Sequence, residues 1–139
     1  MSEDMHIPEL QKLKELSERL VSPELAARIN DELPDALVVT TEEGKIVVFN
    51  RQAELMFGYS RLEVFGKPVE MLIPPSRREA HVSHRSGYAG DPRSRPMGSA
   101  MLLEAQHKTR GAFPVKVNLA PIQTTEGLFI MAVVRRTDM

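Results

Sequence analysis

With 139 residues, a formal charge of −1 and no cysteine, the chain has the size of one domain with an extension at one end. The lack of cysteine excludes disulfides, zinc ribbons, thiol nucleophiles and cysteinyl cofactor adducts. No run of about 18 apolar residues offers a membrane span, and the start MSEDMHIPEL has no signal-peptide core, so a cytoplasmic protein is the simplest expectation.

From Pro8 to Leu20, Leu10, Leu13, Leu16 and Leu20 form one stripe among lysines and glutamates, which predicts an amphipathic helix. So narrow a seam on a short helix is only marginally stable alone, and it calls for its own domain or a second copy as partner. Ser22 then caps a second short helix, with Pro23 in its first turn, Glu24 at its positive end and Pro34 beyond it. Residues 1–32 are read as a helical segment for dimerisation or signalling, and 33–139 as the main domain.

From Pro34 the pattern changes. ALVVTT and KIVVFN are β-branched runs joined by EEGK, a hairpin with Gly44 where positive φ is needed. Asn50 caps the short helix RQAELMF, which Gly58 closes. Ser60 and Glu63 make a capping box for another, ending at Gly66. PPSRREAHVSHRSGY predicts a longer helix to about Tyr88, followed by the proline-stiffened loop AGDPRSRPMG. Three strands complete the chain: SAMLLEAQHK, AFPVKVNLAPIQ and GLFIMAVVRR, with turns at KTRG and TTEG. The middle strand alternates, Phe113, Val115, Val117 and Leu119 on one face and Lys116 and Asn118 on the other.

The order predicts an α+β fold, a five-stranded antiparallel sheet with short helices covering one face. Such a fold encloses a small space, better suited to a sensor pocket than to an active site. Nothing reads as catalytic machinery: Ser60 and Glu63 are a helix cap, Asp35 and Glu54 stand isolated, and no phosphate-binding glycine loop is present. The basic stretch RSRPMG reads as a solvated face, without a nucleic-acid footprint.

LPDALVVTTEEGKIVVFNRQAELMFGYSRLEVFGKPVEMLIPP, the RPMG loop, FPVKVNLAPIQ and IMAVVRR together resemble the PAS sensory domain, from Leu33 to Arg136. The resemblance implies a ligand- or cofactor-binding signalling module of a family that usually acts as dimers, here a homodimer, with a ligand-free dimerisation and interaction module as an alternative. Flavin light sensors of the family carry an Asn-Cys-Arg motif; without cysteine, an adduct or a cinnamoyl thioester is excluded. The haem-binding oxygen sensors carry an iron-ligating histidine in an Arg-x-x-His-x-x-Tyr context, onto which Arg78, His81 and His84 fall. His81 is thus the candidate proximal ligand. The distal arginine of those sensors, nine residues before the hairpin glycine, is replaced here by Leu102, counted back from Gly111; an apolar residue cannot donate to bound oxygen. A further subgroup shares H-x-x-H-R, RPMG and an apolar residue at that position, and this chain resembles it more.

On a helical wheel Arg77, His81, His84, Arg85 and Tyr88 share one side, and Glu79, Ser83 and Ser86 the other. The favoured reading has these histidines hydrogen-bonded to strand or loop backbone, ahead of haem ligation. A His81–His84 metal pair lacks a third ligand. The expected pocket lies between the sheet and the helices of Arg51 to Tyr88, lined by Val39, Phe49, Met56, Phe57, Met71, Leu72, His81, His84, Leu102, Val117 and Met131. Where the family ends in an Asp-Ile-Thr-like motif, VVRRTDM has Arg136. The signal is expected to pass to an effector, either in cis in a longer chain or in trans through the N-terminal helix.

Overall fold

The computed structural model describes residues 8–12, 23–83 and 100–138, the side chains of Ala100 and Met101 excepted. The expectations for Leu13, Leu16, Leu20, His84, Tyr88 and the RPMG loop fall outside the described residues. Residues 1–32 and 33–139 form two compact units. In the first, residues 8–12, including Leu10, are helical, and so is Pro23–Glu32 (α1).

In the second unit, Ala36–Thr41 (β1) and Ile46–Phe49 (β2) form a hairpin. Its Gly44 sits at φ 82°, a left-handed value at which a Cβ would be strained. Ala100–His107 (β3), Gly111–Thr124 (β4) and Gly127–Arg136 (β5) follow as antiparallel hairpins. β5 returns to pair with β1, giving the order β2-β1-β5-β4-β3, antiparallel throughout. This is the α+β architecture that the sequence predicts.

One face of the sheet is the core side. Ala36, Val38 and Thr40 of β1, Phe113, Val115 and Val117 of β4, and Ile130 and Val134 of β5 are all buried there, at the strand period of two. Phe57 fills one end between Phe49 and Phe113, with ring centroids 5.9 and 5.8 Å apart. Burial of each such side chain contributes about 1.5–3 kcal/mol.

Asn50 ties the helical layer to the sheet. Its side chain is 1% exposed, and its Oδ1 accepts from the amides of Leu37 (2.8 Å) and Ala53 (3.0 Å). Its Nδ2 donates to the carbonyl of Asp35 at 3.0 Å. One residue thus caps Arg51–Phe57 (α2) and anchors the entry to β1. Gly58 closes α2 at φ 81°. Ser60 and Glu63 form the expected capping box on Arg61–Val64 (α3).

Two 3₁₀ turns follow, Val69–Leu72 and Pro75–Arg77. The stretch read as one long helix from the prolines therefore starts as a 3₁₀ turn, and its α-helix (α4) is described over residues 78–83. With Pro74 extended before Pro75, the chain enters this helix through the tighter winding common at helix N-termini.

Candidate functional site

The inner face of the sheet and the turns before α4 line a partly open cavity of about 270 Å³. The sheet supplies its floor through Val38, Thr40, Val115, Val117, Leu119, Ile130, Ala132 and Val134. Val38, Ala132 and Leu119 lie in one row, because β5 pairs Ala132 with both neighbours. Phe57, Val69, Leu72, Ile73 and His81 form the wall opposite, and Leu103, Glu104 and Ala105 of β3 the side.

Of the residues expected from sequence, Phe57, Leu72, His81 and Val117 stand on this lining. Val39 and Met131 do not. They are cross-strand partners on the outer face, one residue out of phase with Val38 and Ala132, and a shift of one carries a side chain through the sheet. Leu102 likewise stands on the outer face, opposite Lys116, and is 75% exposed; it has no part in a distal site. Phe49 belongs to the buried core against Phe57. Met56 and Met71 are half-buried against that core, off the cavity.

Three polar residues line the cavity, Thr40, His81 and Glu104. Thr40, 6% exposed, reaches the floor, and its hydroxyl makes no hydrogen bond among the described residues. His81 meets a carboxylate instead of the expected backbone group: its Nδ1 lies 2.7 Å from Oε2 of Glu70. Glu70 is only 7% exposed, held on the 3₁₀ turn between Val69 and Met71. The sequence reading missed Glu70 because a single carboxylate in the apolar stretch VEML looks like a surface residue. The available signal was a histidine eleven residues on at the start of the helix. Thr40 was missed because ALVVTT is apolar on both faces and so carries no phase.

Other acidic groups are structural. Asp35, expected to be isolated, takes a fork from Arg135, with Nε at 3.2 Å and Nη2 at 2.9 Å. Glu54, also expected to be isolated, accepts from the amide of Arg61 at 2.7 Å. Arg136 forks onto Asp138 at 2.7 and 3.0 Å and lies 4.5 Å above the ring of Phe113. That hydrogen bonding holds the Asp138 carboxyl below its ordinary range. Among the described residues no group of three or more His, Asp or Glu is placed to hold a metal ion.

Haem has a partial match here. A histidine whose Nδ1 is fixed by a carboxylate is the usual arrangement of a metal-ligating imidazole. The space disagrees: about 270 Å³ lies below the ~300–1,000 Å³ of sites for drug-sized ligands, and a porphyrin belongs at the upper end of that range. The cavity as arranged does not admit one.

Comparison with known proteins places this geometry. The chain is 29% identical over 92 residues to the sensor protein FixL of Bradyrhizobium diazoefficiens, a match covering 66% of this chain and 18% of that protein. The chain thus spans about a fifth of the length of that relative. Among solved structures, the PAS domain of a Colwellia psychrerythraea protein superposes with a TM-score of 0.68 at 24% identity, covering 82% of this chain and 95% of that one. The PAS domain of the quorum-sensing receptor RpfR of Cronobacter turicensis, in complex with C12:0, gives 0.57 at 22% identity, covering 76% and 95%. The PAS fold family model matches residues 24–139. With the sheet order, the short helices over one face and this match across most of its length, the chain belongs to the PAS fold family.

Proposed function

We propose that this PAS domain is a non-catalytic sensor that takes a small apolar ligand into the cavity between sheet and helices. The observation that carries the reading is the cavity itself: about 270 Å³, floored by seven aliphatic residues and Thr40. An apolar cavity of this kind takes up apolar guests from water. The RpfR domain, solved with C12:0, shares the fold and supports the use of this space for a ligand.

The domain acts as a homodimer on this reading. The leucine stripe Leu10, Leu13, Leu16 and Leu20 supplies one apolar seam. The outer sheet face supplies another, with Phe129, Met131 and Val133 half-buried in β5. The signal reaches an effector by favouring one arrangement of the two copies, in proportion to the ligand's differential affinity for it. No helix among the described residues is long and apolar enough to cross a membrane, and a cytoplasmic location fits.

The test is titration of the isotope-labelled chain with benzene or octane, followed by nuclear magnetic resonance. Amides of inner-face residues in β1, β4 and β5 should shift in the wild type and stay still in Ala132→Phe, which fills the cavity. Absence of shifts in the wild type, or equal shifts in the filled variant, would overturn the reading. An absorption spectrum of protein expressed with haem supply tests the other occupant. A Soret band lost in His81→Ala would replace the apolar ligand with haem.

A further inference from the structure

Three polar residues line the otherwise apolar cavity, Thr40, His81 and Glu104; Glu104 is paired with Arg77, and the other two select among apolar ligands. Thr40 is more than nine-tenths buried and faces the cavity, yet its hydroxyl has no protein partner among the described residues. Buried polar atoms in native proteins are nearly always hydrogen-bonded, and one that is not calls for an explanation. A group on a ligand would satisfy the Thr40 hydroxyl.

His81 supplies the second point. Glu70 Oε2 and His81 Nδ1 share a hydrogen bond of 2.7 Å, in which an Nδ1–H donates to the carboxyl oxygen. In the tautomer that donates from Nδ1, Nε2 is left as an acceptor. Nε2 has no partner among the described residues. The site thus offers a hydroxyl able to donate at Thr40 and an acceptor at His81. A ligand hydroxyl suits either, accepting from the first or donating to the second.

An ionised ligand head does not match. Among the described residues no lysine or arginine lines the cavity, whereas Glu104 does and Glu70 backs His81. The arginines of the same segment are engaged elsewhere, Arg77 with Glu104 at 3.4 Å and Arg78 with the carbonyl of Ile73 at 2.9 Å. A carboxylate head would be buried without a cation from the described residues, which is strongly unfavourable.

From this we infer that the ligand is a small uncharged molecule with an apolar body and a hydroxyl group, an alcohol or phenol, read by Thr40 Oγ1 and His81 Nε2. The inference rests on the proposed use of the cavity and narrows its ligand class.

The experiment compares octane, 1-octanol and octanoate, which differ only in the head, binding to the full chain by the same resonance titration. Wild type should prefer 1-octanol to octane by about five- to tenfold, the worth of one neutral hydrogen bond, with octanoate the weakest. Thr40→Val keeps the shape and should remove most of that preference while leaving octane binding intact; His81→Leu should do the same. Should His81→Leu fail to fold, Thr40→Val alone decides. Tighter binding of octanoate than of 1-octanol, or an unchanged preference in Thr40→Val, overturns the inference while octane binding preserves the cavity reading. If none of the three binds the wild type, the cavity reading falls and this inference with it.

Discussion

Replacing Asn50 with alanine should be the most damaging single truncation outside the aromatic core. Asn50 is 1% exposed, and its Oδ1 serves two amides, Leu37 at 2.8 Å and Ala53 at 3.0 Å. Loss of the cap on Ala53 costs about 1 kcal/mol. The Leu37 amide is a different case: buried at the start of β1, it would lose its acceptor, at about 1–3 kcal/mol. The total is about 2–4 kcal/mol, a large part of the ~5–15 kcal/mol that holds a domain folded. Urea unfolding followed by circular dichroism should show the midpoint fall with the slope unchanged. Asn50→Ser keeps a short acceptor for Ala53 without the reach to Leu37, and should recover about 1 kcal/mol of the loss. If Asn50→Ala costs less than about 1 kcal/mol, the side chain does not link helix to sheet and the account of its role is wrong.

Thr40→Val should behave in the opposite way: it removes a buried hydroxyl without a partner among the described residues, so urea unfolding of the ligand-free chain should show a gain of about 1 kcal/mol, and a loss would mean that the hydroxyl is hydrogen-bonded in solution. Gly58→Ala should cost about 1–2 kcal/mol from the left-handed φ of 81° alone. A Cβ there would also come 2.5 Å from the ring of His107, so adding His107→Ala should restore part of the lost thermal stability and leave the backbone share. Burial, with Arg110 and then Arg136 nearby, holds His107 below the ordinary histidine value of 6.5. Its Nδ1 also accepts from the amides of Thr109 (3.0 Å) and Arg110 (3.1 Å). Below pH 6.5 the unfolded chain then binds the proton that the folded chain refuses, so this contribution is whole above 6.5 and declines as pH falls through the lowered value. Unfolding midpoints measured from pH 8 to 5 should show a decline that flattens in His107→Gln; a parallel decline in the variant would remove His107 from the account.

What could be read from the sequence depended on whether an element carried its own phase. In β4 the polar residues Lys116 and Asn118 separate Val115, Val117 and Leu119, so the inner face was plain, and Val117 stands on the cavity as the alternation requires. The caps were equally plain: Asn50, Gly58, Ser60 and Glu63 act through local chemistry, and local spacing shows it. β1 and β5 gave no such help. ALVVTT and GLFIMAVVRR are apolar on both faces, so Val39 and Met131 were assigned to the cavity when Val38 and Ala132 face it. The Glu70–His81 contact depends on the turn that brings residues eleven apart together, which no period encodes.

The ambiguity of β1 and β5 has a physical cause that bears on the proposed mechanism. A strand reads as apolar on both faces when both are used, one for the core and one for a further contact. In β1 the two uses meet within two residues: Thr40 faces the cavity, while Val39 is on the outer face beside Met131. The pairing of β1 with β2 shifts register at that same step, between Val39 and Thr40, and an irregularity there leaves the strand less firmly held than a continuous ladder would. A ligand bound to Thr40 therefore acts at the break in the β1–β2 pairing. Any displacement it favours moves Val39, and with it the outer face on which a second copy would dock. On the proposed reading, this hydroxyl, without a partner among the described residues, is stability given up for a ligand-sensitive point. Thr40→Val separates the two roles: the more stable chain should be the one that no longer distinguishes 1-octanol from octane.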